Sequence, residues 1–170
     1  MPTRDQLEAA VESACNRLVK QDRPLFVRNV NERSLSHKFA MYLEQEVDAW
    51  GEHWDVDCEF NRDARNTGED YTKQLDLVDK LDSLILTVQD EHATTVFPDV
   101  IVHRRGPGNN LLVVEMKKDT ATAKSVAFDR LHKLPAYVNQ LEYQAAAFVQ
   151  FDMVNMSFNV EWIKRLGSVA

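Results

Sequence analysis

Phe97-Pro98-Asp99-Val100-Ile101-Val102-His103-Arg104-Arg105, Gly106-Pro107-Gly108-Asn109 and Asn110-Leu111-Leu112-Val113-Val114-Glu115-Met116-Lys117 follow one another without a gap. Two β-rich runs, Thr95–Arg104 and Asn110–Lys117, flank a Gly/Pro turn, which predicts an antiparallel hairpin. The second run is apolar enough to be a central strand buried on both faces, so the charges at its end need a compensating partner. Glu115 and Lys117 are two apart and share a face. A turn centred on Pro107 sets Asp99 directly across from Glu115, although a bulge would shift the register by one residue and flip the faces. Opposed Cβ atoms lie roughly 4.5–5.5 Å apart, so the two carboxylates repel unless one protonates or a cation sits between them. A divalent cation resolves the conflict. Oxygen ligands without His or Cys favour Mg²⁺ or Mn²⁺ over zinc, with the Met116 carbonyl as a candidate further ligand. The competing reading is an ordinary surface ion pair between Lys117 and Glu115 or Asp99.

Outward from the hairpin, Thr3 and Gln6 form a capping-box pattern, and Leu7, Val11, Ala14 and Leu18 predict a helix over 4–20. Pro24 marks a break. Leu35, Phe39, Tyr42, Leu43, Val47 and Trp50 predict a second helix over 34–50, ended by Gly51. Trp54, Val56, Cys58 and Phe60 alternate with Asp55, Asp57 and Glu59, a strand with one wet face. Residues 61–68 read as a loop. Residues 71–86 fit helix or strand, and we take helix. Val126, Leu131, Leu134, Val138 and Leu141 predict a helix over 123–141, with Pro135 as a kink or early stop. Two further strands are expected at 145–151 and 158–163. The order of helix, three strands, helix and strands describes an α/β sandwich with a mixed sheet, and nothing in 1–170 reads as a linker between two domains.

Phe97-Pro98-Asp99 followed, fifteen residues on, by Glu115-Met116-Lys117 resembles the PD-(D/E)XK nuclease superfamily. Its restriction-endonuclease-like fold has the core order α-β-β-β-α-β flanked by helices, matched here from Ser34 to Phe151. The resemblance implies Mg²⁺-dependent hydrolysis of nucleic-acid phosphodiester bonds, DNA foremost. It assigns metal binding to Asp99 and Glu115, and to Lys117 the orientation or activation of the attacking water. Members often carry a further acid on the preceding helix. Glu32 is the first choice, because it projects onto the side of Leu35 and Phe39, against a plain helix-start role. Glu46 is second, against an interface role. Many members pair as homodimers so that two sites cut two strands, but no seam in the sequence fixes an oligomer.

The formal net charge of −7 speaks against a polyanionic partner. Its distribution softens that: 41–97 hold four basic and fifteen acidic residues, whereas 98–135 hold seven basic and four acidic. A basic stretch beside an acidic flank grips a polyanion locally. Arg104, Arg105, Lys118, Lys124, Arg130 and Lys133 are the candidate phosphate contacts, each weighed against a solvated surface role. Two cysteines, Cys15 and Cys58, without CxxC spacing suggest neither a disulfide framework nor structural zinc, and a reducing compartment fits. With no apolar run of membrane length and no signal-peptide pattern, a soluble cytoplasmic protein with no membrane partner is expected. The histidines have no zinc-enzyme spacing, and Trp50, Trp54 and Phe60 read as core. A second functional class stays open: a noncatalytic nucleic-acid or protein-binding module that retains the fold.

Overall fold

The computed structural model describes residues 1–60, 62–63, 71–72, 74–75, 94–95, 97–105 and 109–163. A five-stranded sheet is built from β1 (Asp55–Cys58), β2 (Val100–His103), β3 (Asn110–Lys118), β4 (Ala145–Asp152) and β5 (Ser157–Ile163), ordered β1-β2-β3-β4-β5. Only the β3–β4 pair is parallel. Three helices precede the sheet in the chain, α1 (Arg4–Gln21), α2 (Arg23–Val27) and α3 (Glu32–Asp48). Two more, α4 (Ala123–Phe128) and α5 (Leu134–Gln140), are joined by a π turn over Asp129–Lys133 and make the crossover from β3 to β4. The core order from α3 to β4 is α-β-β-β-α-β, a mixed α/β fold compatible with a restriction-endonuclease-like topology. Among the described residues no helix is long and apolar enough to cross a membrane.

β3 takes the central place because its sequence has no solvent face to offer. Leu111 to Val114 are fully buried, each such side chain contributing about 1.5–3 kcal/mol through removal from water. Val100, Val102, Leu112, Val114 and Met116 face the layer of α1 and α3, where Leu7, Val11, Leu18, Leu35, Phe39 and Leu43 pack. Ile101 and Val113 face the opposite layer with Leu134, Tyr137, Val138 and Phe148. α1 opens on the expected box, with Thr3 and Gln6 each serving the other's backbone.

Several boundaries move for identifiable reasons. Pro24 starts α2 instead of interrupting the chain, since Pro fits the first helical turn, whose N–H groups have no partner anyway. α3 begins two residues earlier than the predicted start at Ser34 because the Asn31 side chain accepts from Ser34 N at 2.9 Å. β2 starts at Val100, not at Thr95: Pro98 has no N–H to give the ladder, and Thr94–Thr95 pair with Gln74–Leu75. The helix predicted over 71–86 fails at its start, where Tyr71–Thr72 and Gln74–Leu75 are extended. The rest of that segment, most of the 61–68 loop and the turn residues 106–108 lie outside the described residues. The alternation of β1 also breaks. Glu59 has φ 50°, so Trp54 and Val56 join one layer while Phe60 packs on the other, against the His103 ring at 4.7 Å.

The face of β1 expected to be wet is instead tied down. Asp57 accepts from Arg105 at 2.6 and 3.1 Å and lies 2.8 Å from buried His103 Nε2. Burial pulls its carboxyl upward, but Arg105 and His103 outweigh burial and hold it below the ordinary value. A depressed acid stabilises the fold above its unfolded value near pH 3.9 and loses that contribution as pH falls through the folded one. Asp57→Asn is therefore expected to cost about 1–2 kcal/mol at pH 7, a gap that closes below about pH 4. Thermal unfolding of both proteins from pH 3 to 7 checks this, and a gap independent of pH contradicts it.

Candidate active site

The register of β2 on β3 runs Val100↔Val114, Ile101↔Val113, Val102↔Leu112 and then slips to His103↔Asn110. The irregularity thus falls on the turn side of Val102. Continuing the regular pairs one step past β2 sets Asp99 opposite Glu115, on the face of Ile101 and Val113. Asp99, Glu115 and Lys117 share that face, and Met116 points its side chain into the other layer. Asp99 Oδ2 accepts from Met116 N at 2.7 Å, so a carboxylate takes the ladder position that the strand behind Pro98 leaves open.

Glu32 comes to the same place by another route. Lys118 at the end of β3 donates from Nζ to Asn29 Oδ1 at 2.9 Å and to Val30 O at 3.0 Å. Its backbone N donates to Glu32 Oε1 at 3.1 Å. The strand end is thereby stitched to the start of α3, and Glu32 Oε2 lies 3.6 Å from Lys117 Nζ. Glu46, the second choice, bonds Ser13 at 2.8 Å between α1 and α3 and belongs to that interface.

The crossover helix supplies two charges that the sequence reading did not assign to this cluster. Asp129 Oδ2 lies 3.1 Å from Lys117 Nζ, and Lys133 Nζ lies 2.8 Å from Glu115 Oε1. Pro135 explains the local geometry. It has no N–H for the carbonyl four residues back, and its ring crowds that carbonyl. The backbone widens instead into a π turn, closed by Leu134 N donating to Asp129 O, and the helix continues to Gln140 rather than stopping. Asp129, Lys133 and Tyr137 recur every four residues on one helix face. That spacing is the signal that would have found them.

The electrostatics are those of a crowded cluster around one fully buried carboxyl. Glu115 is fully buried, and burial followed by the Asp99 charge pushes its carboxyl well above the ordinary range, with Lys133 offsetting part of this. Burial likewise raises Asp99, against the Met116 N–H and the two lysines. Lys117 is raised as well, which for a base favours the charged form. Burial works against its charge, but Asp129 and Asp99 outweigh burial and hold the ammonium protonated. Burial and the nearby Glu115 raise the Tyr137 phenol. Despite the ion pair, neither Glu115 oxygen has an aligned hydrogen bond, and the Tyr137 hydroxyl has none. With all groups ionised, four carboxylates face two ammonium groups, an excess of two negative charges.

No family model, curated protein or solved structure matches this chain. The site stands on its own geometry. Among the described residues no group of three or more His, Cys, Asp or Glu is arranged to hold a metal ion. The donor chemistry at Asp99 and Glu115 nevertheless fits one. The donors are oxygen, those of Glu115 are buried with the Lys133 ammonium 2.8 Å from Oε1, and Mg²⁺ is commonly held by one or two carboxylates with waters and substrate phosphate.

The basic candidates are largely engaged within the fold. Arg104 pairs with Glu52 at 2.9 Å and lies over the Trp54 ring at 4.2 Å. Arg105 is held by Asp57, Arg130 by Glu161, Lys133 by Glu115 and Lys118 by the α3 entry. Lys124 is exposed on α4. His103, which shares strand parity with Asp99, is turned to Asp57. The cysteines are free, Cys15 buried and Cys58 exposed.

Proposed function

We propose that this chain is a Mg²⁺- or Mn²⁺-dependent nuclease that hydrolyses phosphodiester bonds of nucleic acid, DNA foremost. The observation that carries the reading is the convergence of Asp99 and Glu115 from antiparallel strands on one dry face, with Glu115 oxygens lacking aligned partners and Lys117 two residues along. Asp99 and Glu115 would hold the ion, and the Met116 carbonyl between the two charged side chains is the candidate third donor. When bound, the ion supplies Lewis-acid stabilisation of the scissile phosphate and lowers the pKa of its water.

Lys117 is held charged, so its role is to offset charge on the phosphate and orient the attacking water through N–H donation, not to accept a proton. Asp129 and Glu32 position it from two sides. Incubation of the pure chain with single- and double-stranded DNA in Mg²⁺ or Mn²⁺ tests the proposal. Asp99→Asn keeps an acceptor for Met116 N and removes the ligand charge, so cleavage should fall about 10³-fold in a folded protein. Cleavage at wild-type rate in that variant overturns the assignment.

A noncatalytic module retaining this fold is the second reading, favoured by the engagement of Arg104, Arg105, Arg130 and Lys118 within the fold, which leaves little free positive charge for phosphates. Nucleic-acid or protein binding without Mn²⁺ binding would select it.

A further inference from the structure

Glu115 and Lys133 form the one contact in the cluster that opposes the proposed chemistry. A carboxylate meant for a divalent ion is already paired, at 2.8 Å, with an ammonium from the crossover helix. The two lysines of the site are held in different ways. Lys117 sits between two carboxylates, Asp129 at 3.1 Å and Glu32 at 3.6 Å. Lys133 pairs with Glu115, reaches Phe97 O at 3.4 Å and lies 5.9 Å from the Tyr137 ring. Its side chain keeps 16% of its surface in solvent, whereas that of Glu115 keeps 1%. Glu115 is thus the enclosed partner of the pair, and Lys133 the one with a solvent-facing side and a flexible stem.

We propose that Lys133 is the resident cation of this site: it holds Glu115 while no divalent ion is present, must leave it when the ion binds, and thereby sets the ion's affinity. This rests on the metal reading above. An ammonium and a divalent ion at contact distance from the same buried carboxylate repel each other, because unlike exposed charges they are poorly screened. The arrangement also balances part of the negative charge gathered by Asp99, Glu115, Asp129 and Glu32. The ammonium supplies counter-charge that would otherwise have to come from protons.

The test is calorimetric titration of the full chain, stripped with EDTA, with MnCl₂. Wild type is compared with Lys133→Gln, which keeps a donor toward Glu115, and Lys133→Met, which keeps only the stem. Melting temperatures with and without Mg²⁺ supply a second readout that needs no cleavage. Both variants should bind Mn²⁺ about tenfold more tightly or better, and gain more melting temperature from Mg²⁺ than wild type does. Equal or weaker binding by both folded variants, with wild type binding, overturns the resident-cation role and leaves the metal reading standing. Absence of Mn²⁺ binding in all three proteins overturns both.

Discussion

Glu115→Gln should lose almost all Mg²⁺-dependent cleavage, a fall of about 10³-fold, and, in EDTA, should unfold at a higher temperature than wild type. The two effects share one cause. Glu115 is fully buried beside Asp99, its oxygens lack aligned partners, and burial pushes its carboxyl well above the ordinary range, so the metal-free protein carries a strained acid. An amide removes the charge that burial penalises, can donate toward Asp99, and keeps the shape. The expected gain is about 1–2 kcal/mol, seen as roughly 2–6 °C in a chain of this size. The same replacement removes a ligand charge and should lower cleavage about 10³-fold. Thermal and urea unfolding in EDTA beside a cleavage assay read both. A less stable variant would mean that the Lys133 ion pair outweighs the burial cost, and the trade between function and stability would not hold.

Lys117→Met is expected to fail in the opposite direction, losing activity and stability together. Removing the ammonium leaves Asp129, buried in the π turn, without its ion-pair partner, and deprives Glu32 of one contact. Stranding a buried charge costs about 3 kcal/mol, and loss of the phosphate-facing cation costs about 10²–10³ in rate. The two losses separate in the double variant Lys117→Met/Asp129→Asn. It should recover most of the stability, because no buried charge is left alone, and none of the activity. Urea midpoints for the single and double variants, with cleavage rates, decide it. If Lys117→Met matches wild type in stability, Asp129 does not need Lys117.

The sequence made the hairpin legible because two independent signals agreed there. The Gly/Pro turn fixed the centre, and the apolar run fixed which strand lies in the middle. The feared slip does occur, between Val102 and His103, but on the turn side, where it cannot reach Asp99. Glu32 was legible from its phase on α3, although the reason it reaches the site, the stitching by Lys118, was not. Asp129 went unassigned and Lys133 was assigned to phosphate rather than to this cluster, because charges on a helix ordinarily face water and their four-residue spacing with Tyr137 went unread. Pro135 carried the relevant information, yet a proline in a helix is compatible with a kink, a stop or a widened turn, and packing against β3 decides among them. The ion pairs of the arginines were illegible for a similar reason: their acidic partners Glu52, Asp57 and Glu161 lie 52, 48 and 31 residues away in sequence. Over 71–86 local periodicity was ambiguous, and the extended pairs at Tyr71–Thr72 and Gln74–Leu75 depend on partners beyond that window.

Lys118 meets Glu32 across 86 positions of chain, and Lys117 meets Asp129 only after the crossover helix has docked. A polypeptide still leaving the ribosome therefore has no complete set of charges until residues as far apart as 32 and 133 have come together. Under the proposed nuclease function, such late completion keeps fragments and half-folded copies inactive, and only the finished molecule is armed.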